Sequence, residues 1–415
     1  MAKLYPFQVE AIKFLYRTKK ALLALDMGLG KTCCCIKTAA LVQAKKVLVV
    51  CPAFLIENWK REITKWNREK GIDWKIVSYN FCADDNKLKE LGNNYDMLIC
   101  DEAHYLRKWS AKRTKNIILK LALKIPRVIF ATASPYITSA QDFHPIYSAC
   151  QPGRWGKLKD FSEKFCLKKF NPWRGFKGSI DYVGVNPVNA QELKDRAKAF
   201  CAVLTKEEVL PDLPDKVVTE VPIQVASELQ LESLGFSRSE ASDMLLSGTL
   251  TDELAANRRK LGLTKVSAAV EFSQNVGNAQ VVFFVWHRDV GQILRREINN
   301  YVPYAAQLIV GGMTNNERDS IIEHFSRGEV QFLIASIGAC GVGVNLHAAS
   351  IACFVEFPWS AAELEQCEDR LHRIGQKNCV NIYHLVAQNT LDDLSLDIIS
   401  RKRSGAELTK VSRSL

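Results

Sequence analysis

The chain has 415 residues, 47% hydrophobic and 24% charged, long enough for two or three domains and too evenly mixed for a disordered, collagenous or low-complexity protein. Its 56 Lys and Arg against 45 Asp and Glu leave a formal charge of +11, which suits a polyanionic partner because Lys and Arg displace condensed counterions from phosphates. The opening MAKLYPFQVE lacks the apolar stretch of a secretory signal and no apolar run is long enough to span a bilayer, so a cytoplasmic or nuclear location is expected and secretion is not.

The first stretch that carries chemistry is LALDMGLGKTCCC, Leu23 to Cys35. It nearly fits the phosphate-binding pattern G-x-x-x-x-G-K-[ST], with Leu25 where the first glycine belongs. After the strand-like ALLAL, Gly28 and Gly30 free the backbone to form a nest of N–H groups around phosphate oxygens, and a helix is predicted to start near Lys31. Lys31 then reaches the outer phosphates of a nucleotide, and Thr32 is suited to ligate Mg2+. The triplet Cys33, Cys34 and Cys35 reads as small side chains packing the first helical turn against a sheet, with a redox sensor as the alternative. Thirteen cysteines without a C-x-x-C pair suggest reduced thiols and no zinc site.

Apolar runs at 46–52 (KVLVVCP), 96–104 (DMLICDEAH) and 127–134 (RVIFATAS) alternate with helical patterns, the βαβ rhythm of a buried parallel sheet. LICDEAH delivers Asp101 and Glu102 at the end of a strand, where α/β sheets place ligands. Asp101 would hold magnesium and Glu102 would orient and deprotonate the attacking water. A solvated helix start is the other reading of such a pair.

Farther on, CLKKFNPWRGFKG (166–178) interleaves Lys168, Lys169 and Arg174 with Phe170, Trp173 and Phe176. This mixture suits phosphate contact plus base packing, and equally a solvated loop pinned by aromatics. The prolines of LPDLPDKVVTEV (210–221) predict an extended connector, followed by helix-patterned sequence over 226–274. A second set of strands is read at 280–287, 330–336, 351–357 and 381–387. The organisation expected is a first lobe over 1–215, a connector and helical accessory segment over 216–274, and a second lobe over 275–415. In QCEDRLHRIGQ (366–376), Gln366, Arg370 and Arg373 recur at i, i+4 and i+7 and so are assigned to one helical face. Such a face is either a solvent stripe or a pair of arginine fingers.

The order LYPFQVEAI, LDMGLGKT, VVCPAFLIENWKREITKW, DEAH, ATASP, MTNNERDSIIEHF, IGACGVGVNLHAAS and PWSAAELEQCEDRLHRIGQ resembles the SNF2 family of superfamily 2 helicase-like ATPases, most of all its compact annealing-helicase subgroup. The resemblance implies an α/β fold of two RecA-like lobes with parallel sheets, ATP and Mg2+ as cofactors, and a double-stranded DNA translocase that works as a monomeric core. Family members commonly lack the loop's first glycine, so Leu25 does not speak against ATP. By the same resemblance Gln8 reads adenine, and Lys31, Thr32, Asp101 and Glu102 take the nucleotide and magnesium positions. Arg370 and Arg373 are the fingers, Arg373 foremost, while Gly341 and Gly343 form the turn that couples the second lobe to DNA and nucleotide. Thr132 and Ser134, in T-A-S-P where the family has T-G-T-P, are DNA-contact candidates. So is Trp359, in W-S-A where the family has W-N-P, unless it is a packing residue. A strand-separating helicase, or a nucleotide-gated DNA-binding subunit of a larger replication, repair or restriction complex, are the competing readings.

Overall fold

A computed structural model describes residues 4–67, 71–92, 94–133, 139–171, 179–247, 251–340 and 344–407. The chain divides into two compact units, Met1–Pro211 together with Ser404–Leu415, and Asp212–Arg403.

In the first unit, β1 (Lys20–Leu25), β2 (Lys46–Cys51), β3 (Asp73–Ser78), β4 (Met97–Asp101), β5 (Arg127–Thr132) and β8 (Cys201–Leu204) form a parallel sheet in the order β3-β2-β4-β5-β1-β8. Successive residues of one strand serve two separate cores: Leu22 and Ala24 belong to one apolar cluster, Leu23 and Leu25 to another. A sheet buried on both faces needs apolar residues throughout, which is why its central strands were readable as short apolar runs. Helices α1 (Pro6–Arg17), α2 (Lys31–Leu41) and α3 (Ile56–Trp66) contribute Ala11, Leu15, Ile36, Ala39 and Trp59 to the cluster that holds Leu23 and Leu25. Outside the sheet, β6 (Leu167–Asn171) and β7 (Ser179–Val183) pair antiparallel.

The second unit is again a parallel sheet, ordered β11-β12-β10-β13-β14-β9. Its strands are β9 (Lys216–Ile223), β10 (Val281–Val285), β11 (Ala306–Ile309), β12 (Phe332–Ser336), β13 (Ile351–Phe354) and β14 (Val380–Ala387). Both sheets are parallel and helix-flanked, as the α/β class requires.

One boundary differs from the sequence reading. The expected connector over 210–221 contains β9, which pairs in parallel with all of β14, from Lys216 opposite Val380 to Ile223 opposite Ala387. As an edge strand it is largely exposed and tolerates Pro222, so it lacks the apolar run that marked the inner strands. The accessory helices Arg238–Ser247, Asp252–Thr264 and Val266–Asn275 also belong to this unit. Leu254 and Leu261 share a core with Leu391, Leu394 and Ile398 of the helix Leu391–Glu407. At the join of two accessory helices the fully buried Lys265 places Nζ 2.5 Å from Asp392 Oδ2 and 3.1 Å from the Leu385 carbonyl. Among the described residues no helix is long and apolar enough to cross a membrane.

Candidate functional site

β1 ends at Leu25, and the chain turns through Gly28 (φ +84°) and Gly30 (φ +80°) into α2. Both glycines adopt the left-handed conformation that residues with a Cβ resist. Leu25, the residue in place of the pattern's first glycine, is wholly buried in the core as the last residue of the strand. The glycine requirement therefore falls on positions 28 and 30, and a leucine at 25 is what the sheet needs. The first N–H groups of α2 have no partner within the helix and open toward the loop. Lys31 folds back over this loop, its Nζ donating to the Leu25 carbonyl at 2.8 Å and the Asp26 carbonyl at 3.3 Å. Thr32, the next residue, lies half-buried in the first turn of α2.

Gln8 is buried against the same loop. Its Oε1 accepts from the Tyr5 N–H at 3.0 Å and its Nε2 donates to the Leu29 carbonyl at 3.0 Å. A Cβ on Gly30 would come within 2.5 Å of that Nε2, so Gln8 and Gly30 fit only because residue 30 has no side chain. The three cysteines after Thr32 are buried, and burial pushes the Cys33 thiol up to about 12 and those of Cys34 and Cys35 higher still. Protonated, buried thiols are packing groups, not redox sensors.

Two strands over, across β5, β4 ends in Asp101. Its carboxylate is 6% exposed, accepts from Trp59 Nε1 at 2.8 Å and from the Glu102 N–H at 3.0 Å, and its carbonyl accepts from the Tyr79 hydroxyl at 2.8 Å. Burial, with the neighbouring Glu102 carboxylate second, lifts the Asp101 carboxyl to about 6, while Trp59 and Lys31 pull the other way. Trp59 was not singled out from sequence, because nothing in ENWKREITKW marks one tryptophan as a partner for a carboxylate on another strand.

Glu102 stands in the left-handed region at φ +51°, a conformation that costs a non-glycine residue about 1 kcal/mol or more and that clusters at functional sites. The turn directs Glu102 Oε2 to within 3.2 Å of His104 Nδ1, and the same nitrogen lies 3.4 Å from Thr132 Oγ1 at the end of β5. Thr132 is completely buried. Instead of offering DNA a surface, its hydroxyl faces the carboxylate turn.

In the second unit the helix Ala361–Glu368 begins at Ser360, whose hydroxyl accepts from the Glu363 N–H, and stops before Arg370. Arg370 and Arg373 therefore do not continue a helical face from Gln366. They stand on a compact turn, held by the buried amide of Gln376, which donates to the carbonyls of His347, Ala349 and Leu371 and accepts from the N–H groups of Lys377 and Asn378. Gly375 takes φ +102°, and a Cβ there would meet the His347 ring at 3.1 Å. The R-I-G-Q letters thus specify a knot that i, i+4 spacing could not reveal. Arg370 is nearly buried and its carbonyl accepts from the Leu346 N–H, whereas Arg373 is half-buried. Burial and then Arg373 hold the His347 imidazole below its ordinary value.

Of the DNA-contact candidates, Lys168 and Lys169 are exposed on β6, opposite Tyr182 and Asp181 of β7. Ser134, Trp173, Arg174, Gly341 and Gly343 lie outside the described residues. Trp359 is half-buried, and Arg258 lies over its ring.

Known proteins are similar in sequence to this chain along nearly its whole length. The family description "SNF2-related domain" fits residues 7–80 and 67–259, and "Helicase conserved C-terminal domain" fits residues 264–375. The DNA annealing helicase and endonuclease ZRANB3 of Homo sapiens is 28% identical over 97% of this chain and 40% of its own length. The SWI/SNF-related matrix-associated actin-dependent regulator of chromatin subfamily A-like protein 1 of Xenopus tropicalis is 26% identical over 97% of the chain and 44% of its length. A solved structure described as the Sulfolobus solfataricus SWI2/SNF2 ATPase core in complex with dsDNA covers 99% of this chain and 95% of its own, at 22% identity and a TM-score of 0.46. The chain spans about two fifths of the length of the first of these relatives.

Proposed function

Because this chain belongs to the SNF2-related family, we propose that it is an ATP-dependent motor on double-stranded DNA. The observation that carries the reading is the meeting of two features at one edge of the first sheet. The glycine loop of β1 with Lys31 and the Asp101–Glu102 turn of β4 stand at the C-terminal ends of strands separated only by β5.

In this reading Gly28, Gly30 and the first N–H groups of α2 receive the phosphates, and Lys31 leaves the Leu25 and Asp26 carbonyls to pair with the outer ones. Gln8, already fixed to the loop through Leu29, takes the adenine. Thr32 and Asp101 are oxygen donors suited to Mg2+, which keeps most of its shell for water and phosphate and needs few protein ligands. Bound Mg2+ would neutralise charge on the phosphate oxygens. Glu102 accepts a proton from the attacking water, its carboxylate aimed by the left-handed turn and by His104. Arg373, with Arg370, is assigned to the transferred phosphoryl group, where a guanidinium contributes roughly 10³ to 10⁵ in rate. Hydrolysis becomes movement when DNA is gripped differently before and after it.

The relative named a DNA annealing helicase supports duplex DNA as the track. ATP turnover measured alone, with duplex DNA, single-stranded DNA and RNA, at two salt concentrations, tests this. Strong stimulation by duplex that salt weakens, and that Lys31→Ala or Glu102→Gln abolishes, supports the motor. Turnover by wild type no faster than by these variants, with every nucleic acid, overturns it.

A further inference from the structure

Arg258 sits on the accessory helix Asp252–Thr264 and is 8% exposed. Its guanidinium carbon lies 3.8 Å from the ring centroid of Trp359 and 4.5 Å from that of Trp286. Nη2 also donates to the carbonyl of Phe357. The two indoles come from neighbouring parallel strands, Trp286 just after β10 and Trp359 shortly after β13. One side chain from the accessory segment thus ties together two strand ends at the C-terminal edge of the second sheet, the edge at which α/β sheets bind ligands.

A cation buried between indoles is an expensive way to fill space. Burial lowers the Arg258 pKa to about 10, so the group remains charged at neutral pH and its desolvation must be offset. The carboxylates of Glu356, Asp392 and Glu363 supply part of that offset, and a planar guanidinium over aromatic faces adds a share that a lysine ammonium in the same place does not match. The contact also fixes the angle of Trp359, a residue that retains partial exposure. The next residue, Ser360, begins the helix that leads to Arg370 and Arg373.

We propose that Arg258 is a positioning residue that holds the Trp359 indole at the sheet edge as a packing surface for one strand of the duplex, which makes the accessory helix part of the DNA grip. This rests on the duplex-DNA reading above. A partly exposed tryptophan locked from one side offers the sugars of a duplex strand a pre-oriented apolar face, and contact with sugars is indifferent to sequence, as a motor that tracks along DNA requires.

The test is duplex binding by fluorescence anisotropy for wild type, Arg258→Lys, Trp359→Ala and the double variant, with melting temperature and near-ultraviolet circular dichroism recorded for each. Arg258→Lys is expected to weaken duplex binding by about tenfold, the scale of one lost apolar side-chain contact, and to change the near-ultraviolet signal of the two tryptophans. The double variant should bind no more weakly than Trp359→Ala alone, because Arg258 acts through that ring. If Arg258→Lys does not fold, Trp286→Phe serves as the milder second variant and should give a smaller loss in the same direction. Binding by the variant within about twofold of wild type, or losses that multiply in the double variant, overturns the inference while the DNA reading stands. Wild type that binds no duplex removes both.

Discussion

The indole N–H of Trp59 donates to Asp101 Oδ2 at 2.8 Å, joining α3 to the end of β4 across 42 residues of sequence. It is one of the few forces opposing the burial that raises this carboxyl. Trp59→Phe keeps an aromatic side chain and removes the donor, so the charged form of Asp101 loses a hydrogen bond and its pKa climbs further. The Mg2+ concentration for half-maximal ATP hydrolysis should rise roughly tenfold, the scale of one hydrogen bond to a charged group. Because the variant's carboxyl holds its proton to higher pH, the deficit should be larger at pH 6.5 than at pH 8. A magnesium titration at both values checks the size and the sign.

Gly30→Ala meets two obstacles, a φ of +80° and the Gln8 amide 2.5 Å from the new Cβ. Left-handed strain alone costs about 1–2 kcal/mol. Gly277, at φ +59° with open space around it, supplies the control. Both alanine variants should lose stability in thermal melts, but only Gly30→Ala should raise the ATP concentration needed for half-saturation, by about tenfold, or 1.4 kcal/mol. Equal nucleotide affinity in the two variants would show that the contact with Gln8 does not matter.

Gln376→Leu removes an amide that serves three carbonyls and two N–H groups. Leaving buried polar groups unsatisfied costs about 1–3 kcal/mol each where water cannot reach them, so chemical denaturation should report a loss of about 3 kcal/mol. If the knot presents Arg370 and Arg373, turnover measured below the unfolding transition should fall far more than ATP affinity.

Lys265→Met strands the Asp392 carboxylate in the core, a change that typically costs about 3–5 kcal/mol. Burial already holds Asp392 above its ordinary value with the ammonium present, and removing Lys265 raises it further. A carboxyl whose folded-state pKa exceeds its unfolded value loses stability as pH rises through the interval between them. The Lys265→Met deficit should therefore be greater at pH 8 than at pH 5.5, and adding Asp392→Leu should recover most of it. Urea denaturation of both variants at the two pH values measures this.

By itself the sequence determined whatever depends on neighbours along the chain. The glycines of D-M-G-L-G-K-T, the apolar runs of the inner strands and the paired carboxylates of D-E-A-H are short-range patterns, because backbone strain, strand burial and phosphate chemistry act within a few residues. Only the tertiary structure decided which distant groups meet. The order β3-β2-β4-β5-β1-β8 sets the Thr132 hydroxyl beside His104 and buries it, and the parallel pairing with β14 makes a strand of a proline-containing segment. The helix that was to carry Arg370 and Arg373 ends at Glu368 because the Gln376 amide gathers the following backbone into a turn. Arg258 reaches a carbonyl 99 residues away. Contacts of this kind depend on how strands cross and stack, and on burial that strips water from paired polar groups, so no local pattern encodes them.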